Sequence, residues 1–263
     1  MRRLGLVLAP LCLVAAALAA WQVAARSAGS LYFPPPSTIV AGMHRLWFSG
    51  PPSHLWLNHD GIANLLPSLG RLLGGWAAAG VAGIAFGVAV GRSPRFSEYV
   101  EPVIHFGRAV PPPTLVPVFL VMFKIGTQMQ IATIVFGVIW PVLVNSIDGA
   151  RGVDRLHIET AKVFKISRVE RLRRIILPAA APKIFAGLRL SLSLALIMMV
   201  IGEFVGSTNG IGRELEVAQT VFDIPSMWAV FVLLGILGLV LNTSFLLVER
   251  RVLAWHSGSR RTT

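Results

Sequence analysis

Twenty-five consecutive residues without a charged side chain occupy positions 224–248 and read IPSMWAVFVLLGILGLVLNTSFLLV. A helix of about 20 apolar residues, rising about 1.5 Å per residue, crosses the hydrocarbon core of a membrane, so this stretch predicts a transmembrane span. Five further stretches resemble it, although the one near 103–123 is broken by prolines and the one near 188–206 is interrupted by Arg189 and Glu203. We predict an all-α integral membrane protein with six spans, at about 4–25, 70–91, 103–123, 127–147, 188–206 and 227–248.

Composition and the distribution of charge support a membrane location. Hydrophobic residues make up 54% of the 263 positions, charged residues only 14%, and mean hydropathy is +0.69, which excludes an ordinary soluble protein. If both termini are cytoplasmic, 19 of the 24 Lys and Arg residues lie inside, Arg108 among them. This asymmetry follows the positive-inside rule, so the net charge of +12 reflects topology and anionic lipid rather than a nucleic-acid surface. We expect a multi-pass protein of the cell inner membrane.

The chain is predicted to form a single transmembrane domain, 1–263, with two long connections. Its first apolar stretch follows Arg2 and Arg3 and imitates a secretory signal, but its length favours an uncleaved first helix. The external segment 26–66 contains a short amphipathic pattern that predicts a helix lying at the membrane interface. That pattern consists of Ile39, Met43, Leu46 and Trp47. The cytoplasmic loop covers residues 150–186.

Two spans carry special packing signals. Small residues recur at every fourth position of the second span and predict a face against which another helix packs closely. They are Gly75, Ala79, Gly83, Gly87 and Gly91. Prolines at positions 111–113 and 117 remove helical hydrogen bonds from the third span, and such backbone is tolerated at membrane depth only inside protein or beside a wet cavity. The third span therefore either lines a pathway or contains a structural kink.

The cytoplasmic loop is longer and more basic than a simple turn requires. Its apolar residues follow a helical period from Ala161 to Ile176, and Glu170 stands four positions before Arg174, the spacing of an intrahelical ion pair. Two interpretations remain open at this point: a solvated basic loop beside anionic lipid, or a docking element for a partner.

The same loop resembles the signature of permease subunits of ATP-binding cassette importers. That signature reads Glu-Ala-Ala, three residues, Gly, nine residues, Ile-x-Leu-Pro. Here Glu159-Thr160-Ala161 and Ile175-Ile176-Leu177-Pro178 stand at the matching distance, and Lys165 occupies the glycine position.

The rest of the chain resembles the nitrate/sulfonate/taurine branch of that family over some 220 residues. Matching fragments occur in the family's order. They are Phe33-Pro34-Pro35-Pro36, Ser68-Leu69-x-Arg71, Val110-Pro111-Pro112, Gly187-Leu188-Arg189-Leu190, Glu203, Gly210-Ile211-Gly212 and Glu249-Arg250-Arg251 with Trp255. Lys124, where the branch has Gly, and Asp148, where it has a small residue, are departures.

The resemblance implies a type I importer permease fold and a set of partners. These are a second permease copy, two cytoplasmic ATPase subunits that hold ATP and Mg²⁺, and an extracytoplasmic solute-binding protein. It also implies that the loop couples to the ATPase through Glu159, Thr160, Ala161, Lys165, Ile175, Leu177 and Pro178. Because lysine adopts a positive φ only at a cost, we expect the backbone at Lys165 to keep ordinary dihedrals.

Intramembrane residues supply candidates for the solute pathway. Glu203 lies about 21 Å along its helix from Arg189, and an intramembrane charge is costly unless it is paired or wetted. We expect it to face the interior of the bundle, either in gating or as a structural anchor. The candidate pathway residues are Pro112, Pro113, Ser191, Met198 and Glu203.

Enzymatic chemistry is not expected in this chain. The closest imitation of a phosphate-binding loop, at 87–93, is one residue short and has Arg92 in place of the lysine. The six histidines lack the spacing of a metal site, and we expect neither metal nor cofactor. The sequence therefore favours an importer permease for a small anionic or heteroaromatic solute, with a non-transporting scaffold that docks an ATPase-like partner as the alternative.

Overall fold

The computed structural model of the chain describes residues 2–254, with side chains from Cys12 onward. The predictions that involve Arg2, Arg3, Trp255 and His256 lie outside the described side chains. Every regular element in the described part is helical. The α-helices are α1 Arg2–Ala28, α2 Pro36–Leu46, α3 His59–Arg92, α4 Pro94–Ala109, α5 Val116–Phe123, α6 Thr127–Arg151, α7 Arg155–Val163, α8 Arg168–Arg171, α9 Leu177–Gly206, α10 Ile211–Thr220 and α11 Ile224–Val252.

Four helical runs in the described part are long and apolar enough to cross a membrane. They are Pro52–Arg92, Thr127–Arg151, Arg168–Gly206 and Ile224–Val252. The predicted third span is the pair α4 and α5, which bends by 86° at the proline-rich turn and counts as a fifth span if taken whole. The described side chains of α1 form a shorter apolar helix, Cys12–Ala28, so the sixth span stays a prediction.

The chain divides into two compact units. One comprises the chain up to Pro67 together with Asn209–Ile236, and the other comprises Ser68–Thr208 with the chain from Leu237 onward. In the first unit, Glu214 accepts hydrogen bonds from Trp47 Nε1 and Asn64 Nδ2, each at 2.6 Å. Trp47 is fully buried, and α2 confirms a helix over the amphipathic pattern; its place at the membrane interface stays a prediction.

The second unit is built on the contact of α3 with α6. A Cβ at Gly75 would lie 2.7 Å from Ile134 Cγ2, and one at Gly87 would lie 2.6 Å from Ser146 Cβ. Gly83 and Gly91 approach α6 in the same way. The spacing of small residues thus correctly predicts a close packing face, because side chains larger than hydrogen would hold these two backbones apart.

Helix α9 covers another side of α6, and small residues again allow the approach. Gly187 lies against Asn145 and Pro141, and Gly149 lies against Ala180. At the far end, Gln130 Nε2 donates a hydrogen bond to the carbonyl of Gly206 at 2.9 Å. Helices α3, α6 and α9 therefore form the packed centre of this unit, and they fix the positions of the polar residues described next.

Candidate functional site

Helix α7 begins with a side-chain cap and packs on the second unit by one face. Asp154 accepts a hydrogen bond from the backbone N–H of Leu156 at 2.9 Å, which satisfies an otherwise free donor at the helix start. Ile158 belongs to a buried hydrophobic cluster that includes Val153, and Ala161, one turn further along, is buried as well.

The opposite face of α7 is exposed, and it carries both polar and apolar side chains. Glu159 and Thr160 are exposed there. Val163 is 78% exposed and Phe164 is 74% exposed. An exposed patch of large apolar side chains at a loop tip is unusual unless it contacts lipid or another protein.

The expectation of ordinary dihedrals at Lys165 is wrong. Lys165 has φ +52°, in the left-handed region, and ends α7 in a Schellman motif. Its N–H donates to the carbonyl of Lys162, and the N–H of Ile166 donates to that of Ala161, each at 2.9 Å. These two bonds satisfy carbonyls that the helix end would otherwise leave unpaired, and this gain overrides the intrinsic cost of the conformation for lysine.

Lys124 repeats this departure at the other position where the related branch has glycine. It follows α5 with φ +61° and ψ 178°, a region that only glycine populates freely. Both lysines therefore occupy glycine-type backbone.

The second half of the loop is the helical extension of a span rather than a free connection. Ser167 caps α8, Glu170 and Arg174 form the predicted ion pair at 3.2 Å, and a π-helical turn over Leu172–Ile176 leads into α9. Pro178 supplies no N–H for the regular hydrogen bond at this point, which accounts for an irregular turn immediately before it. Ile175 and Leu177 pack on the same hydrophobic cluster as Ile158.

Glu203 is fully buried and has an ion-pair partner that the sequence did not reveal. Arg71 Nη1 lies 2.8 Å from Glu203 Oε1, and Ser68 Oγ lies 2.8 Å from both carboxylate oxygens. Arg71 is itself only 8% exposed. Ser68 and Arg71 lie one helical turn apart on the same face of α3, so both can reach a single carboxylate. This spacing is visible in the sequence, but it does not show that the carboxylate is Glu203.

A cavity of about 420 Å³ opens between the proline-rich turn, α6 and α9, and we call it the α6–α9 cavity. Of the five candidate pathway residues, Pro112 and Met198 line it. Pro113 is exposed outside it, and Glu203 is buried against Arg71. Ser191 accepts a hydrogen bond from Trp76 Nε1 at 2.9 Å on the α3 side of its helix.

Arg108 also lines the α6–α9 cavity, although the sequence count placed it in an inner loop. It lies in the last turn of α4, and the neighbouring Gly107 packs directly against the ring of Trp140 in the middle of α6. The side of the membrane assigned to Arg108 by that count stays a prediction. Arg108 stands three positions before a helix-breaking run of prolines that begins at Pro111.

Comparison with known proteins gives a consistent match. The family profile described as binding-protein-dependent transport system inner membrane component covers residues 80–254. That range contains the loop, α6 and α9. It therefore includes most of the features described above.

Three curated relatives align over nearly the whole chain. A Bacillus subtilis protein assigned to aliphatic sulfonate transport, SsuC, is 31% identical over 94% of this chain and 87% of its own length. The taurine transport permease TauC of Escherichia coli is 29% identical over 90% of this chain and 85% of its own length. The bicarbonate transport permease CmpB of Synechocystis is 29% identical over 95% of this chain and 90% of its own length.

Solved structures share the fold at lower identity. A chain of the MetNI methionine ABC transporter in an inward-facing conformation superposes with a TM-score of 0.59. The alignment covers 72% of this chain and 95% of that chain, at 19% sequence identity. At this identity the likeness establishes the fold alone.

Proposed function

Because the chain belongs to the family of binding-protein-dependent transport system inner membrane components, we propose that two copies of it form the pathway of an ATP-driven importer for a small oxyanion. The chain is a permease subunit of the nitrate/sulfonate/taurine branch and not an enzyme. It has the type I importer fold and is a multi-pass protein of the inner membrane. Membership in this family implies ATP-binding cassette subunits and a binding protein as partners.

The detailed assembly is part of the proposal. A second copy of this chain completes the pathway, and two ATPase subunits bind ATP and Mg²⁺ on the cytoplasmic side. The termini lie on that side as well, in keeping with the excess of Lys and Arg predicted there. The extracytoplasmic binding protein delivers the solute from the other side.

The observation that carries the coupling part of the proposal is the two-faced packing of α7. Ile158 and Ala161 hold the helix on the membrane unit, while Val163 and Phe164 project outward. A helix that is fixed on one face and exposes large apolar side chains at its end suits insertion into a groove of a partner. Movement of that groove would then reach α9 through the continuous helical run Arg168–Gly206.

The choice of solute class follows from what the relatives are named for. Aliphatic sulfonates, taurine and bicarbonate all carry an oxyanion group. A small solute with such a group is therefore favoured over a heteroaromatic one. The scaffold alternative is not favoured, because these relatives are all named as transport permeases.

The coupling proposal is tested with a tagged chain purified together with its ATPase. Phe164→Asp places a charge in the apolar patch of α7, so we expect loss of ATPase co-purification. Tyr99→Asp is the matched control, because Tyr99 is an equally exposed aromatic side chain on α4, outside the loop. Co-purification that survives Phe164→Asp, or is lost equally in the control, contradicts the proposed docking face.

A further inference from the structure

Arg108 lies beside the middle of α6. Helix α4 runs alongside the second half of α6: Glu101 contacts Arg151, Ile104 packs with Leu143, and Gly107 touches Trp140. Trp140 is eleven residues from the Arg151 end of α6, which is about 16 Å along a helix axis. Helix α6 has 25 residues and is about 37 Å long, enough to cross a hydrocarbon core of about 30 Å, so we take Arg108, level with the middle of α6, to lie near the middle of that core.

A guanidinium at this depth needs compensation. Within residues 12–254, Arg108 makes no hydrogen bond or ion pair, and it is exposed on the α6–α9 cavity. Its position at the C-terminal end of α4 is favourable for a cation, because helix carbonyls point toward it. That effect is worth at most a few kcal/mol, so an intramembrane arginine of this kind is expected to face water or a counter-ion.

The cavity wall around Arg108 is suited to an anion with an apolar tail. The indole ring of Trp140 lines the cavity, while its N–H is buried away from it and has no acceptor among residues 12–254. Asn145 contributes an amide group whose Nδ2 already donates to the carbonyl of Pro141 at 2.8 Å, and Leu190 and Met198 supply apolar surface on α9. No carboxylate lies on this wall, so no acidic side chain competes with an incoming anion there.

We propose that Arg108 binds the oxyanion of the solute inside the pathway and is the specificity-determining residue of this permease. This inference depends on the proposed import of an oxyanion. A guanidinium presents two parallel N–H donors that match two oxygens of a sulfonate, nitrate or bicarbonate group. The same charge repels cations and leaves neutral solutes unpaired with it.

The test uses the complete complex of permease, ATPase and binding protein in proteoliposomes, with methanesulfonate, taurine, nitrate and bicarbonate as labelled probes. Charge-assisted hydrogen bonds are worth about 1.5–3 kcal/mol, so Arg108→Gln is expected to lower uptake of the imported probe about tenfold or more. ATP hydrolysis stimulated by the binding protein stays within about twofold of wild type, because the coupling loop is untouched. Arg108→Lys keeps the charge but loses the two parallel N–H donors of the guanidinium, so its uptake is expected to fall between those of wild type and Arg108→Gln.

Two further variants keep the result decisive. Arg95→Gln makes the same change near the start of α4, away from the cavity, and is expected to import at the wild-type rate. Arg108→Gln combined with Leu190→Arg returns a guanidinium to the opposite wall of the cavity and is expected to recover part of the uptake. If Arg108→Gln does not assemble, the uptake measured with Arg108→Lys and with this double variant tests the inference.

The outcomes separate the inference from the function on which it depends. Wild-type uptake by Arg108→Gln overturns the inference and leaves the importer intact. Loss of the assembled complex in every Arg108 variant assigns the residue to the contact between copies and also overturns it. If the wild-type complex imports none of the four probes, the proposed solute class fails, and the inference fails with it.

Discussion

Replacing Glu203 with glutamine removes the carboxylate that Arg71 contacts at 2.8 Å while keeping the shape of the side chain. Arg71 is 8% exposed and Glu203 is fully buried, so water cannot replace the lost charge. Breaking a buried ion pair on one side costs about 3–5 kcal/mol. In a chain of this size, 1 kcal/mol lowers Tm by about 2–4 °C, so Glu203→Gln is expected to lower Tm by about 10 °C.

The assay is thermal unfolding of the purified permease in detergent, followed by tryptophan fluorescence. Glu170→Gln is the matched control, because Glu170 also pairs with an arginine, Arg174, but on the surface. Surface pairs of this spacing are worth about 0.3–0.5 kcal/mol, so the control shifts Tm by at most about 2 °C. Equal shifts in the two variants would refute the argument from burial.

A double variant separates the two roles open to Glu203. Arg71→Met with Glu203→Met removes both charges, and replacing a buried pair with apolar residues of similar size is often close to neutral. Its Tm should therefore return to within about 3 °C of wild type. A double variant that is stable and transports normally identifies the pair as a structural anchor, whereas one that is stable but inactive identifies it as part of the gate.

Two further predictions follow from the backbone. Lys165→Gly relieves a left-handed residue and is expected to stabilise the loop by about 1 kcal/mol, read as a Tm rise of a few degrees; an unchanged or lower Tm contradicts the Schellman assignment. Gly87→Ala places a methyl group 2.6 Å from Ser146 Cβ and is expected to cost about 1–3 kcal/mol in thermal unfolding, whereas Gly74→Ala on the same helix meets nothing within 4 Å and should not destabilise.

Much of the architecture could be predicted because it depends on local composition. The length of the apolar stretches alone located the spans that were found. The repeat of small residues at every fourth position from Gly75 to Gly91 identified the face that contacts α6. The ion pair of Glu170 and Arg174 was predictable for the same reason, since both residues lie on one turn of one helix. In each case the pattern lies within one helix, even where the contact that it predicts, such as Gly87 with Ser146, is to another helix.

The failures involve contacts that only the tertiary structure creates. The partner of Glu203 lies 132 positions away, so no local pattern connects the two. Ser191 faces α3 rather than the cavity. The sequence could not predict this orientation, because an almost entirely apolar helix has no periodicity that distinguishes its faces. The backbone conformation of Lys165 is set by the hydrogen bonds that end α7 and not by the intrinsic conformational preference of lysine. A prediction from the residue type alone therefore misses it.

The central claim is that α7 is held in a groove of the ATPase, and cross-linking tests it most directly. Cys12 is the single cysteine of the chain, so Cys12→Ser gives a cysteine-free background into which Phe164→Cys is introduced. A heterobifunctional reagent with one thiol-reactive end and one photoreactive end, applied to inside-out vesicles that contain the assembled complex, is expected to join this cysteine to the ATPase subunit on illumination. Absence of that adduct, combined with labelling of the cysteine by an impermeant thiol reagent from the external face, would contradict the account.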